Sequence, residues 1–185
     1  MKNLMKKIFI LLMKIISPLF YDSKYLKGRY FMNDSMSGWY WVIKGIWFQK
    51  ILGFNRKVPW PISPFIKINN TRNLIFHPNS INNFQSQGSY YQNLKGNIYI
   101  CDNVFIAPNV GLITTNHDLD NLEKHSTGKN IVIGKNCWIG MNSVILPGVK
   151  LGKGTIVGAG SVVTKSFRSG NLVIAGNPAK IIKKL

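Results

Sequence analysis

The hydrophobic positions in the C-terminal half of this chain keep a beat of six. Aliphatic residues stand at Ile133, Ile139, Ile145, Leu151, Val157 and Val163, and earlier at Ile100, Ile106 and Leu112. A period of six fits neither the 3.6 of an α-helix nor the 2 of a half-buried strand. It predicts a solenoid in which each repeat is one short strand and one turn, so that three repeats close a triangular coil of about 18 residues. Successive coils would stack at about 4.8 Å, the spacing of paired strands. The repeated aliphatic points inward. The small residues after it, Gly134, Gly140, Gly152 and Gly158, are expected to let the backbone turn each corner.

The beat is not continuous. Leu112 and Ile133 are 21 residues apart, which is not a multiple of six, so a loop is expected to leave the solenoid at about 116–130. That loop is polar, and an interruption of a regular scaffold is a common place for function. Regular coils are expected at about 98–115 and 131–168. Before them, from Phe65, shorter alternating runs such as Ile66, Ile68, Leu74 and Phe76 predict one or two irregular coils.

The first 64 residues read differently. Leu4, Ile8, Leu11, Leu12 and Ile15 share one face of a predicted helix, with Lys2 and Lys6 opposite and Lys7 and Lys14 at its edge. The uncharged runs are far shorter than the ~20 residues a spanning helix needs, and no small-residue cleavage site follows. A basic amphipathic helix fits either peripheral contact with an anionic membrane surface through residues 1–20 or packing on a neighbouring subunit. An aromatic, irregular stretch follows, with Trp39, Tyr40, Trp41, Trp47 and Phe48 most crowded. It could cap the open end of the solenoid or offer rings for sugar stacking. Pro59, Pro61 and Pro64 forbid a helix and mark a boundary. Two regions result: a capping segment at 1–64 and a β-solenoid at 65–185.

Charge sharpens this division. The net charge is +18. Residues 1–70 carry +10, residues 71–132 are balanced, and residues 133–185 hold eight basic residues and no acid. An acid-free stretch suggests an anionic ligand or surface. No nucleic-acid-binding signature accompanies the charge, so nucleic acid is not expected as a partner. Cys101 and Cys137 form no CxxC pair and occupy different positions of the repeat. They read as free, buried thiols of a reducing compartment.

Several fragments then fall in order: Ile106-Ala107-Pro108-Asn109-Val110, His117 at the mouth of the loop, Cys137-Trp138-Ile139-Gly140 and Ile145-Leu146-Pro147-Gly148-Val149. Gly158 through Lys165 and Ala175-Gly176-Asn177-Pro178-Ala179-Lys180 complete the series. Over about residues 98–183 the chain resembles the hexapeptide-repeat acyltransferases, which include galactoside, maltose and serine acetyltransferases. Lys24 to Pro64 is similar, less closely, to members that O-acetylate surface polysaccharides. The resemblance implies an all-β fold, a left-handed parallel β-helix with a helical or irregular N-terminal segment and one extended loop. Handedness comes from the resemblance alone, since parallel crossovers generally prefer the right hand. It also implies a homotrimer with active sites between subunits, acetyl-coenzyme A as co-substrate, no metal, and a carbohydrate acceptor. The expected location is the cytoplasm, and the basic amphipathic start adds the inner face of its membrane as a place of attachment.

Site residues follow by position. His117 matches the general base, and imidazole titrates near neutrality, where a base works best. Met141 matches the residue whose backbone N–H stabilises the oxyanion of a tetrahedral intermediate. Trp138 would line the acetyl and pantetheine end, or pack the loop. Ala159, Thr164 and Lys165 match cofactor contacts. Lys180 and Lys183 would face its phosphates where some relatives have arginine, losing the bidentate fork. A gap-free count places the acceptor-holding side chain at Gln87, with Asn83 and Gln85 as alternatives. His125 is a second candidate base, and His77 reads as structural. Asp118 and Asp120 either orient His117 or cap the loop turn.

Three other readings compete. One is transfer to an amino-sugar nitrogen or another small acceptor. Another is a zinc enzyme of the gamma-type carbonic anhydrase kind, which needs three histidines around one metal. The third is an inactive scaffold.

Overall fold

The computed structural model describes residues 2–32 and 35–185, with side chains from Leu4 onward. Met1 and the Lys2 side chain, both part of the predicted N-terminal helix, lie outside that description. The chain divides into two compact units, residues 1–64 and 65–185.

Residues 65–185 form a three-sided parallel β-helix. Its first face holds β1 (Lys67–Ile68), β3 (Tyr90–Gln92), β6 (Gly111–Ile113), β9 (Val144–Ile145) and β12 (Val162–Val163). The second holds β2 (Leu74–Phe76), β4 (Ile98–Ile100), β7 (Ile131–Ile133) and β10 (Lys150–Leu151). The third holds β5 (Phe105–Ile106), β8 (Trp138–Ile139), β11 (Ile156–Val157), β13 (Leu172–Gly176) and β14 (Ala179–Lys184). The beat of six is a set of vertical stacks. Leu112 pairs with Ile145 and Ile145 with Val163 on the first face, Ile100 with Ile133 and Ile133 with Leu151 on the second, Ile106 with Ile139 and Ile139 with Val157 on the third. All are buried. Each such side chain contributes about 1.5–3 kcal/mol by leaving water.

Register locates the insertion. Ile133 pairs with Leu151, 18 positions on, whereas Ile100 pairs with Ile133, 33 positions on. The excess of 15 is the length of the predicted loop 116–130. Lys129 N–H donates to Thr114 O at 2.8 Å, so the frame closes behind the loop.

The corners are turned differently from the expectation. Gly134, Gly140, Gly152 and Gly158 do not have positive φ. The turning residue stands two places later, at Asn136 (φ 58°), Asn142 (φ 60°), Gly154 (φ 69°) and Gly160 (φ 68°). Asparagine tolerates this left-handed conformation better than most side-chain-bearing residues. The preceding glycines are needed for close approach instead: a Cβ on Gly140 would meet Ala159 N at 2.6 Å and Val157 O at 2.7 Å in the next coil.

The irregular first coil replaces its third strand with a 3₁₀ turn, Pro78–Phe84. Asn83 Oδ1 accepts from Ile106 N–H at 2.7 Å, and Ser80 Oγ accepts from Val104 N–H at 3.1 Å. Side chains thus occupy the hydrogen-bonding edge of β5, which would otherwise stand open. At the other end β14 folds back antiparallel on β13 after the cis Asn177–Pro178 bond.

Residues 2–64 are built on α1 (Lys2–Ile16) and α2 (Ser37–Gly45), the latter continued by a π-helical turn, Ile46–Ile51. Ser17-Pro18 ends α1. Part of the aromatic stretch is core, with Phe31 against Trp39 at 5.0 Å and Tyr25 against Trp60 at 4.9 Å, while Tyr40 and Trp47 stay exposed. Gln49 is fully buried and organises the unit. Its Oε1 accepts from Tyr21 OH at 3.0 Å and Ile62 N–H at 2.9 Å, and its Nε2 donates to Trp60 O at 3.2 Å.

Candidate active site

The loop 116–130 leaves the corner between the first and second faces as a short antiparallel ribbon. Ser126 N–H donates to Asn116 O at 3.0 Å and Asp118 N–H to Lys124 O at 3.0 Å, which sets His117 opposite His125. Their rings lie 4.6 Å apart at 34°. His117 is exposed, and its Nδ1 is 2.6 Å from Leu122 O. A carbonyl oxygen only accepts, so the tautomer is assigned from the partner: Nδ1 carries the proton and Nε2 keeps its lone pair. That is the form a general base requires.

The orienting group is therefore a backbone carbonyl. Asp118 Oδ1 instead accepts from Asp120 N–H at 2.9 Å and Asn121 N–H at 3.3 Å, so Asp118 caps the turn. The ribbon is anchored by Gln92, a buried residue of β3. Its Oε1 accepts from Thr114 and Thr115 N–H, both at 3.1 Å, and its Nε2 donates to Thr115 O at 3.1 Å. Neither group was legible beforehand. A carbonyl leaves no trace in side-chain identity, although a glutamine at an interior strand position was a usable signal for the second.

Met141 and Ala159 stand at another corner, between the third and first faces. Gly160 N–H donates to Met141 O at 2.8 Å, stacking the two corners. Among the described residues no hydrogen bond engages the Met141 N–H, while its neighbours Gly140 and Asn142 donate to Val157 O and Pro108 O. Trp138 stands on the outer side of β8, between Phe105 and Ile156 in register, with 53% of its surface open. Thr164 and Lys165 are exposed at the first-to-second corner. Lys180 and Lys183 are exposed on β14, paired with Ala175 and Val173. A single chain thus brings Met141, Ala159 and Trp138 to one side of the first face and His117 to the other.

Of the acceptor candidates, Asn83 requires correction. It is buried, its Oδ1 holds Ile106 N–H, and its Nδ2 donates to Ser80 O at 2.9 Å and Val104 O at 3.0 Å. It has nothing left to offer a substrate. Gln85 is half-buried and donates to Ile81 O at 3.4 Å, whereas Gln87 has an exposed side chain. Cys101 is also corrected: it is exposed, and only Cys137 is buried, where desolvation pushes its thiol pKa up.

His77 belongs to a separate cluster. Its Nδ1 lies 3.2 Å from Asp102, which also takes Asn79 Nδ2 at 2.9 Å and Lys135 Nζ at 3.3 Å. The hydrogen bond from Asn79, then Lys135 and His77, hold the Asp102 carboxyl below its usual pKa. Among the described residues no group of three or more His, Cys, Asp or Glu is placed to hold a metal ion.

Residues 130–165 match the bacterial transferase hexapeptide family, a model of six repeats. Residues 130–165 carry repeats of that hexapeptide kind. A galactoside acetyltransferase solved in complex with coenzyme A is similar to it at 33% identity, over 68% of this chain and 61% of that one, with a TM-score of 0.56. A hexapeptide-repeat acetyltransferase from Vibrio cholerae O1 biovar eltor, complexed with acetyl-coenzyme A, is similar at 27% identity over 65% of this chain and 64% of that one, with a TM-score of 0.58. The galactoside O-acetyltransferase of Escherichia coli K12 is 43% identical over 95 residues, 48% of this chain and 44% of that enzyme. The fold is accordingly the left-handed parallel β-helix of these acetyltransferases. The match spans about half the length of the curated relatives.

Proposed function

We propose that this protein is an O-acetyltransferase that moves an acetyl group from acetyl-coenzyme A to a hydroxyl of a surface-polysaccharide sugar. The observation that carries the reading is the His117–Leu122 hydrogen bond, which leaves Nε2 as the free basic nitrogen on an exposed loop. A sugar hydroxyl is a poor nucleophile until its proton is removed, and Nε2 is the group to take it, worth about 10²–10⁴ in rate. The unengaged Met141 N–H is the donor to the carbonyl oxygen as charge develops there. The residues suit acetyl-coenzyme A: exposed Trp138 and Ala159 offer an apolar track, and the acid-free stretch 133–185 offers Lys165, Lys180 and Lys183 to phosphates.

His117 and Met141 flank opposite edges of the first face, so the proposed site is completed by a second copy in a homotrimer. Along the outward column of that face Lys67 and Tyr90 are exposed, while Gly111, Val144 and Val162 in the later coils are half-buried and apolar, which suits subunit packing there. Gln87 is the proposed acceptor contact. The proposed location is the cytoplasm, where acetyl-coenzyme A is available.

Coenzyme release against a panel of glycans tests the reading, with mass spectrometry separating ester from amide products. His117→Ala is expected to lower kcat/KM by about 10²–10⁴ and His125→Ala by less than tenfold. Near wild-type turnover by His117→Ala would remove the assignment.

A further inference from the structure

Helix α1 packs by a face other than its predicted apolar stripe. Met13 is buried and Phe9 and Ile10 are half-buried, with Ser17 closing the same side. At about 100° per residue these fall opposite Leu4, Ile8, Leu11, Leu12 and Ile15, each at least 50% exposed. The side around Met13 packs within the unit, whereas the wider apolar stripe is left open. Lys7 and Lys14 are exposed along one edge of the open stripe. The same unit carries a second open apolar series on α2 and its π-helical extension, with Tyr40, Ile43 and Trp47 exposed and Lys44 Nζ 5.4 Å from the Tyr40 ring. Phe9 of α1 and Tyr40 and Ile43 of α2 line one apolar cavity of about 320 Å³.

We infer that the open stripe of α1 lies on an anionic lipid bilayer, with α1 in the plane of the interface. Charge selects the occupant. Residues 2–20 and 35–64 contain no acid; in the second segment Lys50 and Arg56 donate to carbonyls of their own unit, while Lys44 and Lys57 add to the charge of Lys7 and Lys14. The core of a protein–protein contact is depleted in lysine. A bilayer interface favours this arrangement, because lysine stems run along the apolar stripe while the ammonium reaches lipid phosphates, and Trp and Tyr sit at headgroup level. Among the described residues no helix is long and apolar enough to cross a membrane, so the contact is peripheral. The inference is independent of the acetyl-transfer reading, since none of these residues belongs to the proposed site.

Vesicle flotation of the full chain tests it, using phosphatidylcholine with and without phosphatidylglycerol. The wild type is expected to float with the anionic vesicles and to be released by high salt. Ile8→Glu with Leu12→Glu is expected to abolish flotation while leaving the melting temperature unchanged, because both positions are half-exposed. Lys7→Glu with Lys14→Glu is expected to weaken binding about fivefold or more per charge. Failure of the wild type to float, or equal binding to both vesicle types, overturns the inference. So does a change in oligomer mass on Ile8→Glu with Leu12→Glu, which would mean that a second copy covers the stripe. Coenzyme release measured on the same samples separates failure here from failure of the catalytic reading.

Discussion

The two units of this chain are held by different means. In residues 65–185 the same inward position recurs coil after coil, so Ile139 is supported by Ile106 on one side and Val157 on the other. Stability there is spread over many equivalent contacts, as in other solenoids. In residues 2–64 nothing repeats. One buried amide, Gln49, joins the segments at Tyr21, Trp60 and Ile62. A repeated contact loses one layer when it is cut, whereas cutting a hub releases several segments at once.

Gln49→Ala therefore carries the largest expected loss, about 2–6 kcal/mol, from about 1–3 for each of the Tyr21 hydroxyl and Ile62 N–H that lose their acceptor. Four of the five tryptophans, Trp39, Trp41, Trp47 and Trp60, lie in this unit, so the fluorescence transition in urea reports it. Ile133→Ala should cost about 2–5 kcal/mol by leaving a cavity in the stack, read by the far-ultraviolet transition instead. If Gln49→Ala proved the milder of the two, the contrast between hub and ladder would be wrong.

The ladder was readable in advance for a physical reason. A solenoid imposes one environment at a fixed interval, so Ile133 through Val163 report it together, and the broken phase between Leu112 and Ile133 reports the loop. What stayed hidden depended on neighbours in space. Gly140 and Asn142 both look like turn formers in a string of letters, and only the approach of Val157 O and the sign of φ separate their roles. Asn83 looked available because counting positions carries no information about burial. On α1 the expected stripe exists, but packing chose the narrower face around Met13. At the candidate site His117 was legible from its place at the mouth of the loop, while Leu122 acts through a carbonyl that every residue has.

Smaller changes sharpen the distinction between corner and core. Asn142→Ala should cost about 1–2 kcal/mol through its left-handed backbone, and Asn142→Gly markedly less; urea midpoints of the pair check this. The smallest effect concerns Asp102. Its folded pKa lies below the unfolded one, so its contribution is complete above the ordinary carboxylate range and is lost as pH falls through the lowered value. The difference in melting temperature between wild type and Asp102→Asn should accordingly shrink on acidification below about pH 4. A difference that stayed constant would show that the carboxylate charge is not what Asn79 and Lys135 hold.

The hydrogen bond between Lys129 and Thr114 has a wider meaning. Both ends of the inserted ribbon meet at one rung of the scaffold, so its length is nearly decoupled from the scaffold's cohesion: doubling a flexible excursion adds only about 0.6 kcal/mol of closure entropy. The prism acts as a chuck and the ribbon as an exchangeable bit. Selection can lengthen, trim or reshape the bit while the chuck keeps its grip.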